Sequence, residues 1–573
     1  MHAELPTAVP TDSSPATVLP AGRPLDTGRP AVAASAPSLG ARRAGFVLLV
    51  LLLSAVAAAK AVLFDTMDPD CFWHLKVAEQ LLSDGIGPIV DRLSFASLQS
   101  AWTPYSWLAE LAMKAVWDAG GYRLAVATQA AMQAGFVILI AWACLKARPA
   151  LPPRTRYLPP VDPRERNGTG RRSSYLSSAV AAAGAGFVSL PYLSFRPVTA
   201  ALLLLAVGVG LIVRDRARGE RTRAVWLCPL LAAVAVNLHL YAALLPILFA
   251  ALLVGAVWER FAVAEPAERV EADRRAGRCF LLSAATAVGC ACTPMLPGLV
   301  ATAVHYTAAD PMVAGGHLAE MRPFYTGTLG TASAGVAGFG LVLILARFNR
   351  FRVGERLMLA VAVLLLSQWG RFSTVFAMIA APMVAVATAG LCDHALGRRP
   401  VRLALAVVLA ATCARVGSSF PTAGVPLSAW LNRHGLDAPG YPSAAAEYVS
   451  ANVAPRSGRL ITEFAWGGYL EWAVGDRYQL FLDGRTQLFS PEFWRATYLA
   501  GAADRERFLG QVEADAAVLP AGQSVFRHAL VKAGWRSAWR DDRSEVLLPP
   551  ARPAVAAKSA ATKPWTLGSL LPE

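Results

Sequence analysis

Residues 65 to 76 read Asp65-Thr66-Met67-Asp68-Pro69-Asp70-Cys71-Phe72-Trp73-His74-Leu75-Lys76. Three carboxylates, an imidazole and an ammonium follow directly on a long apolar run. A carboxylate beside apolar and aromatic surface has its pKa pushed upward, which suits a general base. Asp70 and His74 are four residues apart, so one face of a helix can carry both. Asp70 is the candidate base, and Asp68 its partner or alternate. The pair also suits a divalent cation, which prefers carboxylate oxygens. Acids at a helix end fit solvated interfacial groups equally well. Phe72 and Trp73 suit the headgroup level of a bilayer.

Cations that could meet a phosphate lie elsewhere. His74 and Lys76 are on the same stretch, and Arg196, Arg322 and Arg371 fall at the ends of later apolar runs. Arginine forks match phosphate oxygens, although an arginine at a helix end can also simply snorkel. His239, in Asn237-Leu238-His239, is a polar group at the end of an apolar run. It fits a binding role or helix–helix hydrogen bonding. His305, Asp310, His317, Glu320 and Arg322 share one segment but no compact metal motif. The eight cysteines form no CxxC pair and read as buried, inert thiols.

The elements that must position these groups follow from composition. The chain has 573 residues, 55% hydrophobic and only 16% charged. Its mean hydropathy is +0.42. Soluble domains carry about a quarter charged residues, and several runs here approach the roughly 20 residues that cross a bilayer as a helix. The pattern predicts an α-helical polytopic membrane protein. It excludes a disordered chain, a collagen-like fibre and a small disulfide scaffold. The net charge of +15 sits in arginine clusters between apolar runs, which reads as membrane topology and not as nucleic-acid binding.

Residues 1–41, rich in Pro, Ala, Ser and Thr, read as a disordered cytoplasmic tail. The run 44–64 reads as a retained signal anchor. Further spans are expected at 121–146, 175–192, 197–213, 225–241, 242–258, 279–293, 328–346, 357–370, 372–392 and 403–417, about eleven in all. Every second loop is basic, including Arg148 to Arg172, Arg214 to Arg223, Arg347 to Arg356 and Arg398 to Arg402. The positive-inside rule then puts the N-terminus in the cytoplasm and residues 418–573 outside. The sequon at Asn167 falls in a cytoplasmic loop and is read as chance.

The transmembrane unit is thus expected over 42–417. Its outer loop 65–106 holds a helix near 70–83, and an amphipathic segment at 107–118 lies along the interface. A small α/β unit follows at 418–548, then a flexible end at 549–573. Strands are expected at 458–464 and 478–483, and helices at 442–452, 492–513 and 524–533. Trp466-Gly467-Gly468-Tyr469 reads as a turn and a packed helix start. Asp483-Gly484-Arg485 reads as a loop edge, where binding residues often sit.

Taken in order, these motifs resemble the GT-C superfamily of integral-membrane glycosyltransferases. The likeness is nearest to uncharacterised bacterial members with an Asp-x-x-Trp-His-Leu loop. It rests on Asp70 to Leu75, Ser106-Trp107-Leu108-Ala109-Glu110, Phe195-Arg196-Pro197, Asn237-Leu238-His239, Trp466-Gly467-Gly468-Tyr469-Leu470 and Phe481-Leu482-Asp483-Gly484-Arg485. The stretch from Asp70 to Pro88 parallels the acidic helix and turn of lipid-sugar aminoarabinose and mannosyl transferases. The chain departs from them at Cys71, where they carry Glu, and at Trp102-Thr103-Pro104, where they carry Lys-Pro-Pro.

The resemblance implies a polyprenyl-phosphate sugar donor, a glycan, lipid or protein acceptor, and Asp70 as the catalytic carboxylate. It implies a bacterial plasma (inner) membrane setting, with the bilayer and no nucleic acid as partner. Two other readings remain open at this stage. One is a non-catalytic cell-envelope glycan assembly protein on the same scaffold, and the other is a lipid or sugar transporter.

Overall fold

A computed structural model of the chain describes residues 39–63, 67–149, 174–263, 265–308, 310–389, 440–499 and 501–550, with scattered positions between 391 and 436. Most of the expected N-terminal tail, the sequon, the span 403–417 and the end beyond 550 lie outside these residues.

Six described helices are long and apolar enough to cross a bilayer: Arg42–Val62, Trp107–Lys146, Pro197–Arg216, Leu240–Ala262, Gly327–Leu345 and Gly370–Thr388. A seventh span forms if Pro266–Ala291 and Leu296–His305, bent by 100°, count as one. The protein is therefore a multi-pass membrane protein with a helical body. The expected eleven spans reduce to six or seven among the described residues, for a reason of length. Tyr175–Ser189 has 15 residues and Val353–Gln368 has 16. At 1.5 Å per residue these reach about 24 Å, short of the ~30 Å hydrocarbon core. Ala224–Ala235 is shorter still.

The first three helices set the geometry of the loop between them. They are α1 (Leu39–Leu63), α2 (Asp70–Asp84) and α3 (Trp107–Lys146). Gly121 breaks α3 with φ 58° and ψ −152°, a conformation suited to a residue without Cβ. The break separates the expected segment 107–118 from the span that follows it.

Helix α2 is covered by the C-terminal part of the chain. Phe72 is fully buried and meets Trp117, Tyr441 and Tyr469 edge-on, at ring separations of 5.7, 5.3 and 5.2 Å. Trp73 is buried as well. Phe72 and Trp73, expected at headgroup level, are instead core residues, because the C-terminal part of the chain packs over the loop.

That C-terminal part is built on a five-stranded mixed sheet. Its strands are β3 (Arg459–Thr462), β4 (Gln479–Leu480), β5 (Ala516–Pro520), β6 (Arg536–Arg540) and β7 (Ser544–Leu548), in the order β4-β3-β5-β7-β6. Strands β4 and β5 run parallel to β3, and β7 runs antiparallel to β5 and β6. The last three strands were missed in the sequence. Ala516 to Leu519 is a short, fully buried apolar run, the signature of a central strand. The expected helix 492–513 is two helices, Pro491–Thr497 and Ala502–Leu509, and 524–533 shortens to Arg527–Lys532.

The loop after α1 is stitched into this sheet. The Leu480 amide donates to the Leu93 carbonyl at 2.8 Å, and the Phe95 amide to the Leu480 carbonyl at 3.0 Å. The Ser94 hydroxyl reaches the same edge. Strand β4, which would otherwise end the sheet with unpaired backbone groups, is covered by the loop. The loop's own hairpin pairs Ile89–Val90 (β1) with Ala101–Trp102 (β2).

Candidate active site

Five ionisable side chains from four separate stretches meet at one end of the helical body. Asp68 and Asp70 stand at the start of α2. The Asp70 amide donates to Asp68 Oδ1 at 3.1 Å, which fixes the two carboxylates relative to each other. Arg196 joins them, with Nη1 3.1 Å from Asp68 Oδ2 and Nη2 2.9 Å from Asp70 Oδ2. Pro197 opens the next helix, and the residue before a proline is held extended. Arg196 accordingly has φ −141° and ψ 157° and projects off the helix end. Phe195 is buried and its amide donates to Gln129 Oε1, which anchors the turn.

Glu320 and Arg371 complete the group. Glu320 Oε2 lies 3.4 Å from Arg196 Nη1, and its Oε1 lies 3.4 Å from Arg371 Nη1. The Gly370 amide donates to the Arg322 carbonyl at 2.9 Å, holding the two stretches together. A Cβ on Gly370 would come within 2.7 Å of the Tyr192 hydroxyl and 2.8 Å of that same carbonyl. The Arg371 guanidinium sits 5.6 Å from the Tyr241 ring centroid.

Burial pushes the Asp70 carboxyl up to about 7, with Arg196 opposing it and Asp68 and Glu320 adding to it. Glu320 behaves differently. Burial alone would raise it, but Arg371 and Arg196 outweigh burial and hold it below the usual range. The site therefore pairs a firmly ionised carboxylate with one that titrates near neutrality. Groups with pKa values set apart in this way are suited to proton transfer. The Asp70 side chain is still 25% exposed, so a substrate hydroxyl can reach it.

The C-terminal part forms one wall. A Cβ on Gly484 would stand 2.3 Å from Asp70 Oδ1, and one on Gly468 would stand 2.8 Å from the Pro69 carbonyl. Both glycines let backbone press directly on the start of α2. Gly484→Ala is expected to push Asp70 away from Arg196 and to cost about 1–3 kcal/mol, as overpacking does. Thermal unfolding in detergent checks it, and an unchanged midpoint would show that the wall yields without cost.

The neighbours of Gly484 are not the loop-edge binding residues expected. Asp483 and Arg485 are fully buried. Arg485 Nη1 is 2.8 Å from Asp91 Oδ1, its Nε and Nη2 grip Asp483, and Nη2 is 3.5 Å from Glu471 Oε1. Burial and then Asp483 raise the Glu471 carboxyl well above its usual value, with Arg485 opposing them. The guanidinium also lies over Trp73 and Trp102, at 5.9 and 5.5 Å. This cluster locks the C-terminal part onto the loop.

The other sequence candidates are placed as follows. His74 is buried with Nδ1 3.0 Å from Glu110 Oε1. Burial, then Arg196, His239 and Arg485, hold it well below the imidazole range, so it is neutral. Lys76 pairs with Glu79 and Asp476 at 2.7 and 2.8 Å, away from the carboxylates. Arg322 turns its side chain to the Gly316 carbonyl at 2.7 Å and is exposed. None of these three presents a free cation at Asp70. His239 stacks edge-on with Tyr105 and Tyr241 and accepts from the Tyr241 amide. Its neighbour Asn237 accepts from Trp107 Nε1 and donates to the Cys292 carbonyl, a joint between three stretches.

A divalent cation at Asp68 and Asp70 does not fit these partners. Asp68 Oδ1 accepts from a backbone amide, and its Oδ2 accepts from Ser194 and Arg196. Arg196 already supplies the positive charge that a cation would bring. Among the described residues, no group of three or more His, Cys, Asp or Glu side chains is arranged for a metal.

No family model matches the sequence, and no curated protein matches it. Similar solved structures include the Archaeoglobus fulgidus oligosaccharyltransferase tethered to an acceptor peptide containing the NVT sequon. It has a TM-score of 0.47 and 11% identity, over 84% of this chain and 69% of that one. ArnT from Cupriavidus metallidurans bound to undecaprenyl phosphate has a TM-score of 0.39 and 14% identity, over 89% and 98%. Its apo form has a TM-score of 0.44 and 14% identity, over 88% and 98%.

Proposed function

We propose that the protein is a membrane glycosyltransferase that moves a sugar from a polyprenyl-phosphate donor to an acceptor hydroxyl. The observation that carries this reading is the convergence of Asp68, Asp70, Arg196, Glu320 and Arg371 at one end of the helical body. Opposite charges at the far end are paired off, as in Arg275 with Glu259 and Arg216 with Glu355. Helix Pro197–Arg216 links the two ends, and its 20 residues span about 30 Å. With the N-terminus cytoplasmic, the Asp70 end faces outward across the plasma membrane.

Asp70 takes the proton of the acceptor hydroxyl. The acceptor oxygen bonds to the anomeric carbon, and the bond from that carbon to the phosphate oxygen breaks. The electron pair leaves on the polyprenyl phosphate, with anomeric inversion as the simplest outcome. Arg196 and Arg371 stabilise the departing negative charge in a site partly screened from water. Asp68 holds Arg196 in register with the base.

The test is transfer from a polyprenyl-phosphate sugar by the purified chain in lipid, measured against pH. The base works only as the carboxylate. Because Asp70 titrates near pH 7, the rate should fall about tenfold per unit as pH drops below that value. Above it, the rate should level off. A flat profile from pH 5 to 8 would remove Asp70 as the base.

A further inference from the structure

We propose that Glu320 is a resident stand-in for the donor phosphate. Its carboxylate occupies the two guanidinium forks while no donor is bound, and the arriving phosphate displaces it. This rests on the reading of Arg196 and Arg371 as the phosphate site.

The geometry singles Glu320 out from the other acids. Among the described residues it alone bridges both arginines, one oxygen to each. A carboxylate and a phosphate present two oxygens at nearly the same separation, so one can take the other's place. Both contacts measure 3.4 Å, long for charge-assisted bonds, which settle at about 2.7–2.9 Å. Closer pairs elsewhere in the structure include Arg196 with Asp70 at 2.9 Å and Arg275 with Glu259 at 3.0 Å. The carboxylate thus bridges the two arginines without holding either at close range.

Glu320 also has a way out. It sits in a short turn, Ala319–Met321, and its side chain is 32% exposed. Rotation about its side-chain bonds carries the carboxylate into water without moving the backbone. Asp68 and Asp70 are more constrained, since the first accepts from the Asp70 amide and the second is walled by Gly484.

Charge balance gives the displacement its purpose. Three carboxylates face two guanidiniums, so a phosphate entering beside Glu320 would meet an excess of negative charge. Once Glu320 swings away, a singly charged donor phosphodiester takes over its charge, and the site carries no more negative charge than before. An occupied site lowers apparent donor affinity by the fraction of time it is blocked. The same exchange lets the product polyprenyl phosphate be expelled when Glu320 returns.

The experiment is titration of the full-length protein, reconstituted in lipid, with undecaprenyl phosphate. Glu320→Gln keeps the shape and removes the charge. It should bind about tenfold more tightly than the unmodified protein, the size of one interaction between partly screened like charges. Arg371→Gln should bind more weakly. If Glu320→Gln binds equally or less tightly while Arg371→Gln weakens binding, the stand-in role is overturned and the phosphate site survives. If neither variant changes the affinity, the phosphate does not bind between these arginines, and the proposed donor site falls as well.

Discussion

Asp70→Asn should lower sugar transfer by about 10²–10⁴-fold, the usual worth of positioned proton transfer, with the protein still folded and inserted. The amide keeps the shape and one oxygen for Arg196, so the wall at Gly484 is undisturbed. Asp68→Asn should cost less, because Asp68 touches Arg196 and the Asp70 amide and not the acceptor. Chelators should leave the rate unchanged, since Arg196 fills the position between the two acids. The measurement is initial rate at saturating donor, with thermal unfolding run alongside. Normal transfer by Asp70→Asn would end its role as base.

The second large effect is structural. Arg485→Met keeps most of the volume and removes the guanidinium shared by Asp91, Asp483 and Glu471. Breaking a buried ion pair by deleting one partner typically costs about 3–5 kcal/mol. The stability should fall by that order, and the C-terminal part should loosen from the loop. Cys71, fully buried beneath that part, should become reactive to a maleimide mapped by peptide mass. An unchanged unfolding midpoint with Cys71 still protected would show that apolar packing alone holds the two parts together.

The carboxylates and two of the arginines were legible in the sequence because each sits next to a helix boundary. Pro197 marks Arg196, and the end of the first apolar run marks Asp68 and Asp70. Glu320 was legible only as one acid in a polar segment. Its partners Arg196 and Arg371 are 124 and 50-odd residues away, and no periodicity reports such a meeting. Lys76 was misplaced by proximity in sequence. Six residues beyond Asp70 it lies on a different face of α2 and finds Asp476 in the C-terminal part. The Asp483-Gly484-Arg485 motif read as an exposed edge because its buried partner, Asp91, stands 394 residues away.

The departure at Cys71 has a packing cause. Cys71 is fully buried in the same apolar cluster as Phe72, Tyr441 and Tyr469, where burying a carboxylate would be costly. Among the described residues, two of the expected spans are helices of only 15 and 16 residues, because hydropathy registers Ala-rich segments of that length as strongly as longer ones.

The seam between Ser94 and Leu480 has a consequence for synthesis. The two residues are 386 apart in the chain, and the wall at Gly484 follows four residues later. A ribosome making this protein inserts nearly every membrane helix before the segment that completes the acidic end has been translated. Until then Asp70 lacks one side of its enclosure, and the loop from Leu93 to Phe95 has no strand to pair with. Long-range pairing of this kind forms late and slowly. Nascent chains would therefore sit in the bilayer with an unfinished pocket, and competence for chemistry would arrive only once the segment around Leu480 and Gly484 had been made.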